Sequence, residues 1–443
     1  MTALRLDTLS LRNFRCFEQC EIGFHPNLTV LVAENGSGKT AILDAVATAL
    51  SVFVNAMNPT EKSRKMERSD VRLVPDGNGK MTSCLPTEYL AQATVRDKQV
   101  IWKSTVRTYG GKVRPSFREL APLKDAALKF RADSEILPLV AYYGTGRLWS
   151  EHRLTEYRRS SVTNVEERVA GYTDCLTSSS SFKDVSTWFE HRFRQTASPA
   201  FRESLSTNLA MIEGVKRATR EVLEPTGWLN LAWDSELAAL SAEHESQGRL
   251  PLIMLSDGVR TMLALVADVA RRCASLNPQL SDQASLQTPG VLIIDEVDMH
   301  LHPRWQQQVL GLLQGAFPAL QIIVSTHSPH VLSTVEKSSI RVLRAEENEV
   351  SVETPLLQTR GVESADVLAA VMGVDPIPQV EESKKLSAYR ALIEDGKSEG
   401  PDALALRWRL VSHFGERHPV ILECDRLIRF QQFRLRHEKP DGA

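Results

Sequence analysis

The stretch Ala33–Thr40 reads Ala-Glu-Asn-Gly-Ser-Gly-Lys-Thr and decides the fold. Five apolar or β-branched residues, Leu28–Val32, come directly before it and predict a buried strand. After it, apolar residues recur at helical spacing from Thr40 to Val54. A strand, a glycine loop and a helix in this order place backbone N–H groups around a phosphate at a helix N-terminus. The stretch therefore predicts an α/β fold that binds a nucleotide.

Each position of the loop has a chemical role in that prediction. Gly36 and Gly38 let the backbone approach the phosphates, and Lys39 places a positive charge on the β and γ phosphates. Thr40 offers a hydroxyl to Mg²⁺, so we expect ATP and Mg²⁺ as cofactors. Ala33 stands where such loops usually have their first glycine. The remaining loop residues that we expect to contact the nucleotide are Asn35 and Ser37.

An acidic pair follows a second apolar strand, Val291–Ile294. Asp295 ends that strand, where a carboxylate can order Mg²⁺, and Glu296 can orient the attacking water. His327 follows the next apolar strand, from which an imidazole could reach the γ phosphate. A structural core histidine is the alternative for His327, but the Ser-Thr-His-Ser-Pro context favours the catalytic role.

Ser256, Asp257 and Gly258 precede a predicted helix and form a second candidate anion site. The glycine loop, this serine signature, the acidic pair and the histidine segment, in this order, predict an ATPase of the ABC type, in which one chain cannot close both anion sites on the same nucleotide. The serine signature of one copy covers the ATP of another, which predicts a homodimer or a larger homo-oligomer. A plain helix cap is the alternative for Ser256.

Composition limits the other function classes. The chain has 443 residues, a formal net charge of -2 and six cysteines without a CxxC pair, which argues against a zinc site and a disulfide framework. No apolar run is long enough to span a membrane, so we expect a cytoplasmic protein. His300 and His302 form an HxH pair, which we interpret as a structural turn at the dimer interface. DNA is a possible partner through a C-terminal basic cluster, Arg426, Arg429, Arg434 and Arg436.

These features predict an ABC-type P-loop ATPase head with mixed β-sheets and a helical insertion. Sustained heptads are absent, so we expect no long coiled coil. The predicted domains are an N-terminal ATPase lobe at 1–147, a helical insertion at 148–248, a C-terminal ATPase lobe at 249–375 and an appended helical region for partner or self association at 376–443.

Four stretches together resemble the compact RecF/SMC-like ATPases of bacterial defence systems. They are Leu11–Phe17, Glu34–Thr40, Asp295–Pro303 and Ser325–Pro329. That branch includes PtuA, the ATPase of Septu anti-phage systems, which also occurs beside some retrons. The resemblance implies an ATPase that dimerises around ATP and controls an HNH nuclease on a separate chain, similar to PtuB.

The resemblance also adds site residues. It implies that Arg15 touches the phosphates and that Asp298 belongs to the nucleotide-binding set. A glutamine of a Q-loop is expected as well, for which Gln92 is a candidate. Two alternatives remain open: a RecF-like DNA-repair ATPase without a dedicated effector, and a nucleotide-gated scaffold with little turnover. A transporter subunit is a distant further alternative. The sequence shows no nuclease motif, so we expect no DNA cleavage by this chain alone.

Overall fold

The computed structural model describes residues 3–61, 64–108, 117–132, 136–148, 168–177, 182–197, 205–345 and 350–437. The chain divides into two compact units, Met1–Met372 and Gly373–Ala443. The strands are β1 Leu4–Phe14, β2 Phe17–Gly23, β3 Leu28–Val32, β4 Leu73–Pro75, β5 Met81–Ser83, β6 Thr87–Val95, β7 Lys98–Val106, β8 Leu139–Tyr143, β9 Trp228–Asp234, β10 Ala239–His244, β11 Gly248–Pro251, β12 Gly290–Ile294, β13 Leu320–Ser325, β14 Ile340–Ala345 and β15 Val350–Glu353.

The helices follow in the same chain order. They are α1 Lys39–Met57, α2 Phe117–Ala132, α3 Phe182–Ala197, α4 Leu205–Leu223, α5 Asp257–Leu276, α6 Ala284–Gln287, α7 Pro303–Gln306, α8 Val309–Ala316, α9 Pro329–Leu332, α10 Ser364–Ala370, α11 Glu381–Glu394, α12 Pro401–Phe414 and α13 Pro419–His437. The longest helix among the described residues is α5, with 20 residues. The predicted α/β class is therefore confirmed, and the described part of the chain contains no long coiled coil.

A six-stranded sheet forms the centre of the first unit, in the order β15-β14-β3-β13-β12-β8. All neighbours in it are parallel except β14 and β15, which pair antiparallel. The strands β3, β8, β12 and β13 are buried along their whole length, as expected for parallel strands covered on both faces. Their carboxyl ends meet at one edge of the sheet, where the chain places the glycine loop and the acidic pair.

A second sheet, antiparallel and four-stranded, has the order β2-β1-β6-β7. The buried amide of Gln321 on β13 joins it to the central sheet. Gln321 Oε1 accepts the N–H of Leu6 at 2.8 Å, and its Nε2 donates to the Leu6 carbonyl at 2.8 Å and to the His25 carbonyl at 3.0 Å. Because a buried amide without partners is costly, these bonds fix how the two sheets pack.

Helix α1 is long and apolar enough to cross a membrane by length and composition, yet 78% of its most apolar window is buried inside the unit. Its apolar side chains pack between the two sheets, and Trp102 of β7 donates its indole N–H to the carbonyl of Ala49 at 3.1 Å. The helix therefore serves as a core helix that carries the phosphate loop at its N-terminus.

The expectation of a helical insertion at 148–248 is wrong in its last part. Helices α3 and α4 are present, but residues 228–251 form a three-stranded antiparallel sheet in the order β11-β10-β9. Trp228, Leu231 and Leu240 are its large buried side chains. The β propensity of these aromatic and aliphatic residues, with turns at Gly227 and Gly248 in the left-handed region, explains why strands form here. Residues 149–167, 178–181 and 198–204 of the insertion lie outside the described residues.

The second unit is a small three-helix arrangement of α11, α12 and α13. Its core consists of six buried side chains, which are Tyr389, Ile393, Ala403, Leu410, Ile421 and Cys424. Ion pairs connect the helices at its surface, Arg390 with Glu423 at 2.7 Å and Arg407 with Asp425. Apolar spacing predicts one helix over residues 401–433, but it is divided in two, because Gly415 takes a left-handed φ of 90° that ends α12.

Candidate nucleotide site

The glycine loop follows β3 directly and ends at Gly38, the N-terminal cap of α1. Gly36 and Gly38 have φ values of 82° and 95°, in the region that glycine adopts without strain. A Cβ on Gly38 would also lie 2.7 Å from Cys16 Sγ, in addition to colliding with the Phe17 ring. The turn between β1 and β2 thus packs on the loop, and no side chain fits at position 38.

Lys39 is already bent over the loop that precedes it. Its Nζ donates to the carbonyls of Ala33 at 2.8 Å and Glu34 at 3.0 Å, and the side chain is mostly buried. Burial lowers the pKa of Lys39, although the nearby carboxylates, foremost Asp295, favour the charged form. Ala33 is not among the described residues with positive φ, so this position does not require the usual glycine. The loop geometry fits a phosphate group above its amides.

The structure brings Thr40 and Asp295 together across 255 residues of sequence. Thr40 Oγ1 donates to Asp295 Oδ2 at 2.8 Å, and Asp295 is buried at the end of β12. A hydroxyl and a carboxylate that converge in this way are the oxygen ligands that Mg²⁺ prefers. These two residues therefore fit the expected metal-binding pair, next to the loop that would hold the phosphates.

Glu296 follows Asp295 in a left-handed backbone conformation with φ of 48°. Its N–H donates to Ser325 Oγ at 2.8 Å, and the same hydroxyl donates to Asp295 Oδ1 at 2.5 Å. The N–H of Val297 donates to the Ser325 carbonyl at 3.0 Å. The end of β13 therefore fixes the turn that carries both carboxylates.

His327 lies two residues beyond Ser325 and is half-buried. The intervening Thr326 is fully buried, and its Oγ1 donates to Asp298 Oδ1 at 2.6 Å. Asp298, which the resemblance placed among the nucleotide-binding residues, thus connects the acidic turn to the histidine segment. The segment is stiffened further because Ser328 Oγ donates to Gln306 Oε1 at 2.8 Å and caps α9. His327 and the Asp295–Glu296 pair accordingly stand on neighbouring strand ends.

The serine signature begins α5, and its hydroxyl is not used as a helix cap. Ser256 is the exposed N-cap residue, and its side chain makes no capping hydrogen bond. Asp257 pairs with Arg260 at 2.7 Å. Gly258 packs on the turn after the acidic pair, since a Cβ there would lie 2.6 Å from the His300 carbonyl oxygen. The Ser256 hydroxyl and the helix N-terminus therefore face solvent, as an anion site requires.

Arg15 reaches the helix that follows the phosphate loop. Its NH1 donates to Asp44 Oδ2 at 2.7 Å, and its Nε donates to Asp70 Oδ1 at 2.9 Å. Burial alone would lower the pKa of Arg15, but Asp44 and Asp70 raise it above its ordinary value. Asp44 lies one helical turn after Thr40 on the same face of α1, so Arg15 stands beside the phosphate loop.

Two sequence interpretations concern residues outside this cluster. Gln92 lies in the middle of β6, paired with Thr8 and Ile101 in the four-stranded sheet, so it is not on the strands that carry the cluster. His300 and His302 lie in a turn, as expected: His300 has φ of 63°, and His302 Nδ1 accepts the N–H of Arg304 at 3.3 Å. Their place at a dimer interface stays a prediction.

The sequence interpretation missed several residues that support the site. They are Asp44 and Asp70, which pair with Arg15, Ser325, which bonds Asp295, and Thr326, which bonds Asp298. Hydroxyl residues as the last positions of an otherwise apolar strand are the signal that indicates Ser325 and Thr326. The carboxylates around Arg15 carry no such signal, since only the fold brings them together.

Comparison with known proteins agrees with this geometry. Two family models match consecutive parts of the chain, both described as AAA domains, at residues 8–187 and 187–333; the second description also mentions the AbiEii toxin and a Type IV TA system. A probable ATPase of retron Vc95 from Vibrio cholerae is 24% identical over 89% of this chain and 85% of its own length. The Septu protein PtuA of Bacillus mycoides is 33% identical over 24% of this chain and 14% of its own length.

The chain is an ATPase with AAA-type domains, similar to a retron ATPase and, over part of its length, to a Septu protein. Among solved structures, an SMC head bound to the C-terminal winged-helix domain of ScpA superposes with a TM-score of 0.49 at 16% identity, over 79% of this chain and 97% of that one.

Proposed function

We propose that two copies of this ATPase close around two ATP molecules and that this closed state controls a separate HNH nuclease in cytoplasmic anti-phage defence. The observation that carries the proposal is the division of the site. One edge of the central sheet holds Lys39, Thr40, Asp295 and Glu296. Ser256, by contrast, is an exposed helix N-cap whose hydroxyl makes no capping bond. An anion site that faces solvent in this way suits the γ phosphate of ATP on a second copy.

In the proposed hydrolysis, each side chain has one task. Lys39 and the loop amides hold the phosphates, and Arg15 adds positive charge at the same end of α1. Thr40 and Asp295 would hold Mg²⁺, which neutralises charge on the phosphate oxygens when it is bound. Glu296 orients the attacking water, and His327 contacts the γ phosphate from the next strand end.

Apolar exposure beside the signature supports association of two copies. Ile253 and Met254 immediately precede the signature and are 73% and 68% exposed. Fully burying such a side chain is worth roughly 1.5–3 kcal/mol. A second copy that binds its ATP to Ser256 would cover both side chains, so ATP binding and apolar burial would act together.

The second unit is the proposed docking element for the nuclease. Leu404 and Trp408 lie one helical turn apart on α12 and are 54% and 73% exposed, while Phe430 on α13 is 64% exposed. Exposed tryptophan and phenylalanine side chains are typical of binding hot spots. Similarity to a Septu ATPase supports a nuclease partner of the PtuB kind.

The test is co-expression with the protein that the adjacent gene encodes, which we expect to be an HNH nuclease, followed by affinity purification and plasmid cleavage with and without ATP. We expect stable co-purification, cleavage only when both chains are present, and loss of binding in Trp408→Ala. Leu356→Ala is the matched control, because Leu356 is 91% exposed but lies in the first unit. Cleavage by this chain alone, which follows it through a sizing column, would refute a separate nuclease.

One observation favours a second candidate, a RecF-like ATPase that acts on DNA without an effector. On α13, Arg426 and Arg429 are exposed, whereas Glu423 and Asp425 are engaged by arginines of the other two helices. This leaves net positive charge on the outer face of the helix, which suits phosphate contacts. DNA binding that falls steeply with salt and is weakened by Arg426→Glu, without a co-purifying nuclease, would support this candidate over the first.

A further inference from the structure

Ser325, the last residue of β13, contacts both members of the acidic pair at once. Its Oγ donates to Asp295 Oδ1 at 2.5 Å and accepts the N–H of Glu296 at 2.8 Å. The side chain is fully buried, so water does not compete for these bonds. One hydroxyl thereby uses its donor and one of its acceptor positions on two consecutive residues.

We propose that Ser325 is a positioning residue for ATP hydrolysis, which aims the Asp295 carboxylate at Mg²⁺ and the Glu296 side chain at the attacking water. This inference rests on the roles proposed above for Asp295 and Glu296. In this proposal Ser325, at the end of β13, supports hydrolysis without contacting ATP or the metal.

The orientation of the Asp295 carboxylate is set by two hydroxyl groups. Thr40 holds its Oδ2 and Ser325 holds its Oδ1, so the plane of the carboxylate is fixed from two sides. Thr40 is also the expected metal ligand, so its hydroxyl would be shared between Asp295 and the cation. Ser325 is not an expected ligand, so its bond would hold the carboxylate plane whether or not the metal is bound. Hydrogen bonds to metal-binding carboxylates act in this way in many metal sites.

The backbone of Glu296 is held by the same serine. With φ of 48°, Glu296 occupies a region that residues with a Cβ adopt only when their surroundings hold them there. Ser325 Oγ accepts its N–H and so stabilises this conformation, which sets the direction in which the Glu296 side chain leaves the strand. The neighbouring bond from Val297 N–H to the Ser325 carbonyl is made by backbone alone. A Ser325→Ala variant therefore keeps the turn and is expected to fold.

The experiment compares steady-state ATP hydrolysis of the full chain and its Ser325→Ala and Ser325→Thr variants, with titrations of MgATP and of Mg²⁺. In Ser325→Ala we expect a fall in kcat of about 10–100-fold and a higher Mg²⁺ requirement, the range typical for loss of such supporting bonds. ATP affinity in EDTA should stay unchanged, because Lys39 and the loop are intact. Ser325→Thr keeps the hydroxyl and should restore most of the rate.

Ser241→Ala serves as the matched control. Ser241 is a fully buried strand serine whose Oγ has no hydrogen-bond partner within the described part of the chain, so its loss should leave the rate unchanged. Parental kcat and Mg²⁺ dependence in Ser325→Ala would overturn the proposal. A threonine variant as slow as the alanine variant would also overturn it, because the hydroxyl would then not matter.

Two further variants distinguish a wrong hydrolysis site from a wrong role for Ser325. Glu296→Gln is measured in parallel, and a parental rate in that variant would show that the proposed hydrolysis site is wrong, independently of Ser325. If circular dichroism shows that Ser325→Ala does not fold, Ser325→Cys replaces it. A thiol is a weak donor, so a rate between those of parent and Glu296→Gln is expected, and a cysteine variant at the parental rate refutes the proposal.

Discussion

Replacement of Asp268 by asparagine should destabilise the first unit strongly, because it leaves a buried arginine without its counter-charge. Asp268 on α5 is buried and accepts hydrogen bonds from the Tyr143 hydroxyl at 2.8 Å, Arg271 Nε at 2.9 Å and Arg272 Nε at 2.9 Å. Arg272 is buried too and also donates to the carbonyls of Gly171 and Thr173. These contacts connect the signature helix to β8, which neighbours β12.

The expected loss of folding free energy in Asp268→Asn follows from the burial of both Asp268 and Arg272. Removing one partner of a buried, hydrogen-bonded ion pair costs about 3–5 kcal/mol. Whole domains are stable by only about 5–15 kcal/mol, so Asp268→Asn should remove a large share of the stability. Tyr143→Phe is the graded control, since it deletes one hydrogen bond to a charged group and should cost about 1.5–3 kcal/mol.

The pH dependence gives an independent check. Burial would raise the pKa of Asp268, but Arg271 and Arg272 outweigh it and hold the pKa below its ordinary value. Because the pKa of Asp268 is lower in the folded state, its ionised carboxylate stabilises the fold fully above the unfolded pKa of about 3.9. This stabilisation is lost as the pH falls through the folded-state pKa. Parent and Asp268→Asn should therefore differ most near neutral pH and converge in acid.

The assay is urea unfolding followed by circular dichroism at pH 7 and at several acidic pH values. The reasoning predicts that Asp268→Asn lowers the free energy of unfolding more than Tyr143→Phe does. If Asp268→Asn stays within about 1 kcal/mol of the parent at pH 7, the buried pair does not hold α5 as argued here.

Three predictions concern the nucleotide site. Lys39→Ala should lose ATP affinity with an unchanged melting temperature, because Lys39 is bonded only to loop carbonyls; unchanged affinity would remove Lys39 from the site. Glu296→Gln should bind ATP but hydrolyse it about 10²–10⁴-fold more slowly, and a parental rate would make Glu296 structural. Ser256→Arg should weaken ATP-dependent association more than ATP binding, since Ser256 is exposed at the helix start; light scattering that shows an unaltered ATP-bound dimer would contradict a composite site.

The sequence predicts the parts of the fold that depend on local pattern. The glycine loop, the buried strands around it and the acidic pair are local signals, and the structure places Lys39, Thr40 and Asp295 together as the motifs imply. Helix ends are predicted less well: apolar spacing predicts a helix over Thr261–Arg272, whereas α5 extends from Asp257 to Leu276, with Cys273 and Leu276 buried in the added last turn.

The parts that sequence reasoning missed depend on tertiary contacts. The sheet at 228–251 follows polar helices, and its short strands alternate too weakly to stand out. The pattern over residues 4–17 predicts one strand and a short turn, but Phe17–Gly23 also forms a strand, which pairs with β1. Arg15 meets Asp44 and Asp70 only because β1 and α1 pack together, and no spacing in the sequence predicts that contact.

The central claim is that two chains enclose ATP through Ser256 of one copy and Lys39 of the other. The most direct test is the molar mass of Glu296→Gln by light scattering in MgATP, with bound nucleotide counted in the same peak. The account predicts that the mass doubles relative to the nucleotide-free protein, with one ATP for each 49.4 kDa chain, and that adding Ser256→Arg abolishes the doubling. A particle that binds one ATP per chain at Lys39 and keeps its nucleotide-free mass would contradict the claim.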